Sequence, residues 1–287
     1  MINPRTLILV GAHPDDESFG PGGTLAKYAI NGVKVVYVCG TRGEVGSADP
    51  EHLQGYATTG DMRWAELTCA AQSLGLAEVI HLGYRDSGMP GSPDNAHPDA
   101  LAAAPLEEVA ARLVKIFRAL KPQVVVTSDP IGGYRHPDHI AIHNATVRAF
   151  YAAGDPEQYP DLGPAHQPQK LYYTVFPRGL LKLAVKIMPL FGQDPRKFGR
   201  NKDVDVVSLA EVEFPVHARI KIDGESAARK ARAAACHQSQ LWSGPPTRGL
   251  FGWLARALSG QEMYMRAHPP VPDGQKVRET DLFEGVE

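Results

Sequence analysis

Residues 6–17 read TLILVGAHPDDE, and residues 124–139 read VVVTSDPIGGYRHPDH. Each opens on an apolar, β-prone run and closes on histidine, proline and carboxylates. Unbroken apolar runs of this kind fit strands buried on both faces, as in a parallel sheet covered by helices. Proline and adjacent carboxylates do not suit a strand interior, so the polar ends belong to loops and first helical turns. The pattern repeats outward from these two runs. Residues 22–31 predict a helix ended by Asn31-Gly32, and 34–40 a strand. Residues 61–74 predict a helix capped by Asp61 and stopped by Gly75, and 79–82 a short strand. Helices follow over 106–120, ending before Pro122, and over 137–153, with Pro137 at the first position.

The second half is less regular. Strands are expected over 171–176 and 218–222, a helix rich in Ala and Arg over 224–239, and a last strand in QEMYMRA at 261–267. Strands alternating with helices predict an α/β fold: a Rossmann-like, mostly parallel sheet with helices on both faces. The C-terminal part should extend that sheet and shape the pocket. No linker divides residues 1–268, which are read as one domain, and the Pro-rich, polar stretch 269–287 as a loosely ordered tail. Residues 179–199 and 245–259 mix apolar and basic residues and stand apart. In the former, Leu180, Leu181, Leu183, Ala184, Ile187 and Met188 make a helical stripe that Pro189 should end. Such a stripe is expected to be buried on the chain's own core, as a wall of the substrate pocket, or against a second copy.

Composition excludes several classes. The 287 residues are 43% apolar with a formal charge of −2, so no basic field draws in nucleic acid or an anionic membrane. No run approaches the ~20 apolar residues of a membrane span. The N-terminal apolar run ends in charged residues and reads as a strand rather than a signal peptide. Cys39, Cys69 and Cys236 lack CxxC spacing, which argues against a disulfide framework and for a reducing cytoplasm. Cys39 and Cys69 read as small core residues.

Ligands of open parallel sheets bind at the carboxyl ends of strands. The clusters that follow 6–11 and 124–128 should therefore share one rim. His13 and Asp16 stand at i, i+3, as do His136 and His139. Zinc takes imidazole and carboxylate ligands, three of them in a catalytic site. Two such clusters offer more than three ligands, and hydrolysis uses the surplus as a base for the attacking water and an acid for the leaving group. A third HPD, at His97-Pro98-Asp99, follows no strand and reads as plain loop. Gly20, Gly22 and Gly23 do not form a GxGxxG, so a nucleotide role is not expected.

The runs AHPDDE at 12–17 and GGYRHPDH at 132–139 resemble those of the PIG-L/LmbE-like zinc deacetylases. PGGT at 21–24, TRGEVG at 41–46, RDSGM at 85–89 and HQSQ at 237–240 add to the likeness. It is nearest the branch that deacetylates, or cleaves the amide of, mycothiol-type sugars. The resemblance implies an LmbE-like fold and zinc, or ferrous iron, held by His13, Asp16 and His139. It implies Asp15 as general base, and His136 as general acid or charged partner of the transition state. Asp138 would orient an imidazole, and Tyr134 would assist the oxyanion. Arg63 and Asp86 match residues that touch the sugar, and Glu44 lies in a strand-end loop that can meet it. His237 is a candidate without a named role. The expected reaction is removal of an N-acetyl group from a GlcNAc-type sugar or pseudodisaccharide by a cytoplasmic enzyme, which can be a homo-oligomer. An amidase cleaving a larger amide of a thiol-sugar conjugate is the alternative; a non-catalytic carbohydrate- or nucleotide-binding protein is a more distant one.

Overall fold

The computed structural model describes residues 5–176, 178–198, 204–241, 260–272 and 274–287. The segment 245–259 lies outside them. The chain runs β1 (Thr6–Gly11), α1 (Asp16–Phe19), α2 (Gly22–Ile30), β2 (Lys34–Cys39), α3 (Thr59–Leu74), β3 (Glu78–His81), α4 (Leu106–Leu120) and β4 (Val124–Thr127). It continues through a kinked turn α5 (Gly132–Arg135), α6 (Pro137–Ala153), β5 (Lys170–Val175), α7 (Arg178–Ile187), α8 (Val206–Glu211), β6 (Ala218–Lys221), α9 (Gly224–Cys236) and β7 (Gln261–His268).

The described strands form one sheet in the order β3-β2-β1-β4-β5-β7-β6. β1 to β5 are parallel, and β7 runs antiparallel between β5 and β6. The expected mostly parallel sheet and its C-terminal extension are both present. From β1 the chain builds outward to β2 and β3, then returns to lay β4 on the other side of β1. The strand order thus reverses between β1 and β4, where an α/β sheet opens a crevice at its carboxyl edge. That reversal puts the two histidine clusters side by side.

Alternate residues of β1 feed two cores. Ile8 and Val10 pack with Leu113 and Phe117 of α4 and Ile142 and Phe150 of α6. Leu7 and Leu9 pack with Leu25 of α2, Leu67 and Leu74 of α3 and Ala233 of α9. Arg118 of α4 is 2% exposed and donates to the carbonyls of Ala152 and Ala153 at the end of α6. A cation there satisfies carbonyls that the helix itself leaves without donors.

Three expectations are corrected. The cap of α3 is Thr58, whose hydroxyl accepts from Asp61 N at 3.0 Å, while Asp61 sits inside the first turn. Cys69 is not a simple core thiol: α3 and α9 pack with Cα atoms of Cys69 and Cys236 5.8 Å apart, and the two form a disulfide. Residues 167 apart in sequence give no spacing signal for such a bridge, and the cysteine argument for a reducing cytoplasm falls with it. The stretch after Pro269 is packed rather than loose, with Leu282 and Phe283 buried and Glu279 N donating to His217 O at 2.8 Å. Its few apolar residues are enough because they enter an existing core beside Tyr28. α7 does end before Pro189, where a 3-10 turn takes over. It packs on α8, and Leu183 of the stripe is 44% exposed. Among the described residues no helix is long and apolar enough to cross a membrane.

Candidate active site

β1 ends at Gly11, where a Cβ would stand 2.6 Å from the Tyr37 hydroxyl. That hydroxyl donates to His13 O at 2.6 Å, and Thr41 Oγ1 donates to Ala12 O at 3.0 Å. The turn out of β1 is thereby clamped to β2 with His13 buried. Asp15 follows with φ 118° and ψ −26° at the start of α1, a left-handed conformation uncommon for any residue but glycine. Beyond β4, Asp129 Oδ1 accepts from the amides of Ile131 and Gly133 at 3.1 and 2.9 Å. Gly132 and Gly133 take φ of +67° and +63°, a bend that glycine adopts freely. The loop delivers Tyr134 beside His136 and His139, with ring centroids 5.7 and 5.2 Å away. His136 caps α6, its Nδ1 accepting from Asp138 N at 3.2 Å.

The rings converge. His13, His136 and His139 each offer an atom within 4.8 Å of the others. His13 Nδ1 faces His139 Nε2 at 3.1 Å, and Asp16 Oδ1 lies 3.4 Å from that same Nε2. A tetrahedral shell with bonds of ~2.0–2.1 Å holds its ligand atoms ~3.3–3.4 Å apart. The two distances at His139 Nε2 and the donor types fit a zinc-like ion held there. His13 Nε2 is engaged by Asp138 Oδ2 at 3.2 Å, with Asp86 Oδ1 at 3.5 Å. A proton on Nε2 leaves the Nδ1 lone pair free toward the ion, the usual job of a carboxylate behind a metal-binding histidine. Asp138 is in turn held by Ser87, whose amide donates to Oδ2 at 2.9 Å and whose hydroxyl donates to Oδ1.

The electrostatics favour a cation. Burial works against charge on His13, but Asp86 and Asp138 outweigh it and hold its pKa well above the ordinary imidazole value. Burial likewise opposes charge on Asp16, yet the His139 and His13 rings and the amides of His13 and Ala12 keep its carboxyl below the usual range. Asp15 differs: burial, with Asp16 adding to it, pushes its pKa up to about 6 against the pull of Arg63. Burial, then His13 and His139, press His136 down to about 2, so it is neutral.

Asp15, Asp16, Tyr134 and His139 line a cavity of about 240 Å³, closed on its apolar side by Phe19 and Phe176. Phe176 directly follows β5, and Phe19 ends α1. The three residues expected to touch the sugar have their polar groups turned inward. Arg63 is buried and donates to Asp15 Oδ2 at 3.0 Å, Pro14 O at 2.7 Å and Gly43 O at 3.2 Å. Gly43, at φ +70°, admits that guanidinium where a Cβ would stand 2.0 Å from it. Glu44 accepts from Asp86 N at 3.0 Å, and Asp86 Oδ1 accepts from Gly88 N at 2.8 Å. His97 stays in its loop, accepting from Asp99 N.

Sequence reasoning missed Tyr37, Ser87 and Glu17 and left His237 without a role. Ser87 lies inside RDSGM and Glu17 inside AHPDDE, so the signal was there, but the partners that give them meaning are remote in sequence. Glu17 and His237 are both wholly buried and 2.7 Å apart.

Residues 8–150 match the family described as PIG-L, GlcNAc-PI de-N-acetylase. Over its length the chain is 38% identical to the 1D-myo-inositol 2-acetamido-2-deoxy-alpha-D-glucopyranoside deacetylase of Geodermatophilus obscurus, covering 100% of this chain and 99% of that one. It is 39% identical to the protein of that name from Streptomyces avermitilis, covering 98% and 97%. Among solved structures, N,N'-diacetylchitobiose deacetylase from Pyrococcus horikoshii superposes with a TM-score of 0.56 at 20% identity, covering 92% of this chain and 84% of that one. A conserved protein from Thermus thermophilus gives 0.57 at 23% identity, covering 93% and 97%. The structural likenesses speak for the fold, and the full-length sequence identities for kinship: the chain belongs to the PIG-L family of de-N-acetylases.

Proposed function

We propose that this chain hydrolyses the acetamide of a GlcNAc-type glycoside of the GlcNAc-inositol class, releasing acetate and the free amino sugar, with zinc held by His13, Asp16 and His139. The observation that carries the reading is His139 Nε2 standing 3.1 Å from His13 Nδ1 and 3.4 Å from Asp16 Oδ1, with the raised carboxyl of Asp15 on the same cavity wall. Zinc bound there would polarise the amide oxygen and acidify water.

The chain's own groups do the rest. Asp15 takes a proton from the water as its oxygen adds to the amide carbon. A carboxyl poised near 6 can also return that proton to the nitrogen as the C–N bond breaks. His136 accepts at Nδ1 from Asp138 N, which leaves its proton on Nε2. A neutral imidazole in that tautomer serves as hydrogen-bond donor to the developing oxyanion rather than as the charged acid suggested by resemblance. The Tyr134 hydroxyl, on its two-glycine loop, supplies a second donor.

The test is acetate release from zinc-loaded protein over a panel of N-acetyl sugars, with a GlcNAc-inositol and a thiol-sugar amide included. Faster turnover of the GlcNAc-inositol is expected. Faster cleavage of the larger amide would sink the deacetylase reading in favour of an amidase.

A further inference from the structure

Glu17 closes the AHPDDE run yet takes no part in the chemistry above. Its two carboxylate oxygens face different partners. Oε2 accepts from Asp15 N at 3.0 Å. Oε1 meets His237 Nε2 at 2.7 Å and accepts from Ser18 Oγ at 2.5 Å. His237 comes 220 residues later, at the end of α9, where the disulfide partner Cys236 immediately precedes it. Its Nδ1 is buried without a hydrogen-bond partner among the described residues, so the bond to Glu17 alone orients the ring through its nitrogens.

Asp15 needs such a hold. At φ 118° it lies where a side-chain-bearing residue persists only if its surroundings over-determine it. Its carbonyl receives Ser18 N and Phe19 N at 2.9 Å each, and its carboxylate receives Arg63 at 3.0 Å. Its own amide goes to Glu17. Rotation of the backbone at Asp15 would swing the carboxyl off the cavity wall, so whatever fixes that amide fixes the aim of the base.

We propose that Glu17 and His237 are a positioning pair, His237 clamping Glu17 from α9 while Glu17 holds the Asp15 backbone in the conformation that points its carboxyl at the substrate. The proposal rests on Asp15 being the general base. The competing view is that the pair merely staples α9 to α1 for stability.

The experiment uses the zinc-loaded chain with Glu17→Ala, His237→Ala and His237→Gln, each alone and in an Asp15→Asn background. The alanine variants are expected to lose kcat by roughly 10–100-fold, the scale of misplacing a catalytic group through its support. KM and zinc content should stay near wild type. His237→Gln, whose side-chain N–H can still donate to Glu17, should recover most of the loss. In the Asp15→Asn background, adding His237→Ala should change kcat little, because the group it positions is already disabled. An equal fold-loss in both backgrounds, or full kcat in the alanine variants, would overturn the proposal. If His237→Ala fails to fold, His237→Gln and His237→Asn carry the test. Asparagine is one methylene too short to reach Glu17, so equal kcat in the two would likewise overturn it. Failure of the underlying reading looks different: Asp15→Asn alone would then keep its kcat.

Discussion

Adjacent carboxylates at 15 and 16 meet different partners. Asp15 pairs with Arg63 at 3.0 Å, whereas Asp16 spends Oδ2 on the amides of Ala12 and His13 and turns Oδ1 toward His139. Asp15→Asn is therefore expected to keep bound zinc and lose kcat by ~10²–10⁴, the scale of a lost general base. Asp16→Ala should lose zinc itself. Elemental analysis after dialysis separates the two, and equal zinc loss in both would make Asp15 a ligand. Asp138 acts one layer out, through its 3.2 Å contact with His13 Nε2. Asp138→Asn should weaken zinc affinity by ~10–100-fold, read by competition with a chelator. Unchanged affinity would mean that Asp138 does not orient His13. The residues proposed as ligands and base were legible because each stands in a dense local motif. Ser87, Tyr37 and the Glu17–His237 pair were not, since a hydrogen bond between residues 51, 24 or 220 positions apart leaves no local pattern that names its partner.

Secondary elements were legible to the extent that local chemistry sets them. Helices α4 and α6 run over the residues expected, because Pro137 and the apolar periodicity mark them. The strands came out shifted by a residue or so at their ends, where pairing decides the boundary rather than composition. What periodicity does not reveal is which helices touch. The packing of α3 on α9 brings Cys69 and Cys236 together. A bridge across 167 residues removes much unfolded-state entropy, about 5 kcal/mol on the chain-entropy estimate and typically 2–4 measured. Treatment with a dithiol, or Cys69→Ser, should lower Tm by about 5–15 °C, taking about 2–4 °C per kcal/mol in large domains. Thiol titration in denaturant gives an independent reading. One reactive thiol per chain, Cys39, is expected before reduction, and a Tm indifferent to reduction would show that the bridge does not hold the helices.

At the scale of the whole molecule, the polar C-terminus misled because its few anchors act through tertiary contact. β6 is the last strand of the sheet, and exposed strand edges invite unwanted pairing. Glu279 lies along that edge, bridging to Ala218, while Leu282 and Phe283 descend into the core beneath Tyr28. The Glu279 side chain is 4% exposed. It receives Lys170 and Arg266 at 2.7 Å and the Tyr172 hydroxyl at 2.7 Å, tying the terminus to β5 and β7. Burial alone would raise its pKa, but these donors outweigh it and hold the carboxyl below the ordinary glutamate value. The sign of the linkage follows. A carboxylate with a depressed folded-state pKa adds stability that is complete above its unfolded value, and that stability drains away as pH falls through the folded one. Glu279→Gln leaves Lys170 buried without its counter-charge, and loss of one partner from a buried pair costs about 3–5 kcal/mol. Its Tm at neutral pH should therefore fall by about 6–20 °C. The gap to wild type should narrow on acidification below the ordinary glutamate range, because the native carboxylate is then being protonated as well. Urea titrations of both proteins over a pH series would measure this. A gap that stayed constant into strong acid would mean that the cost of the substitution does not come from the ionised carboxylate.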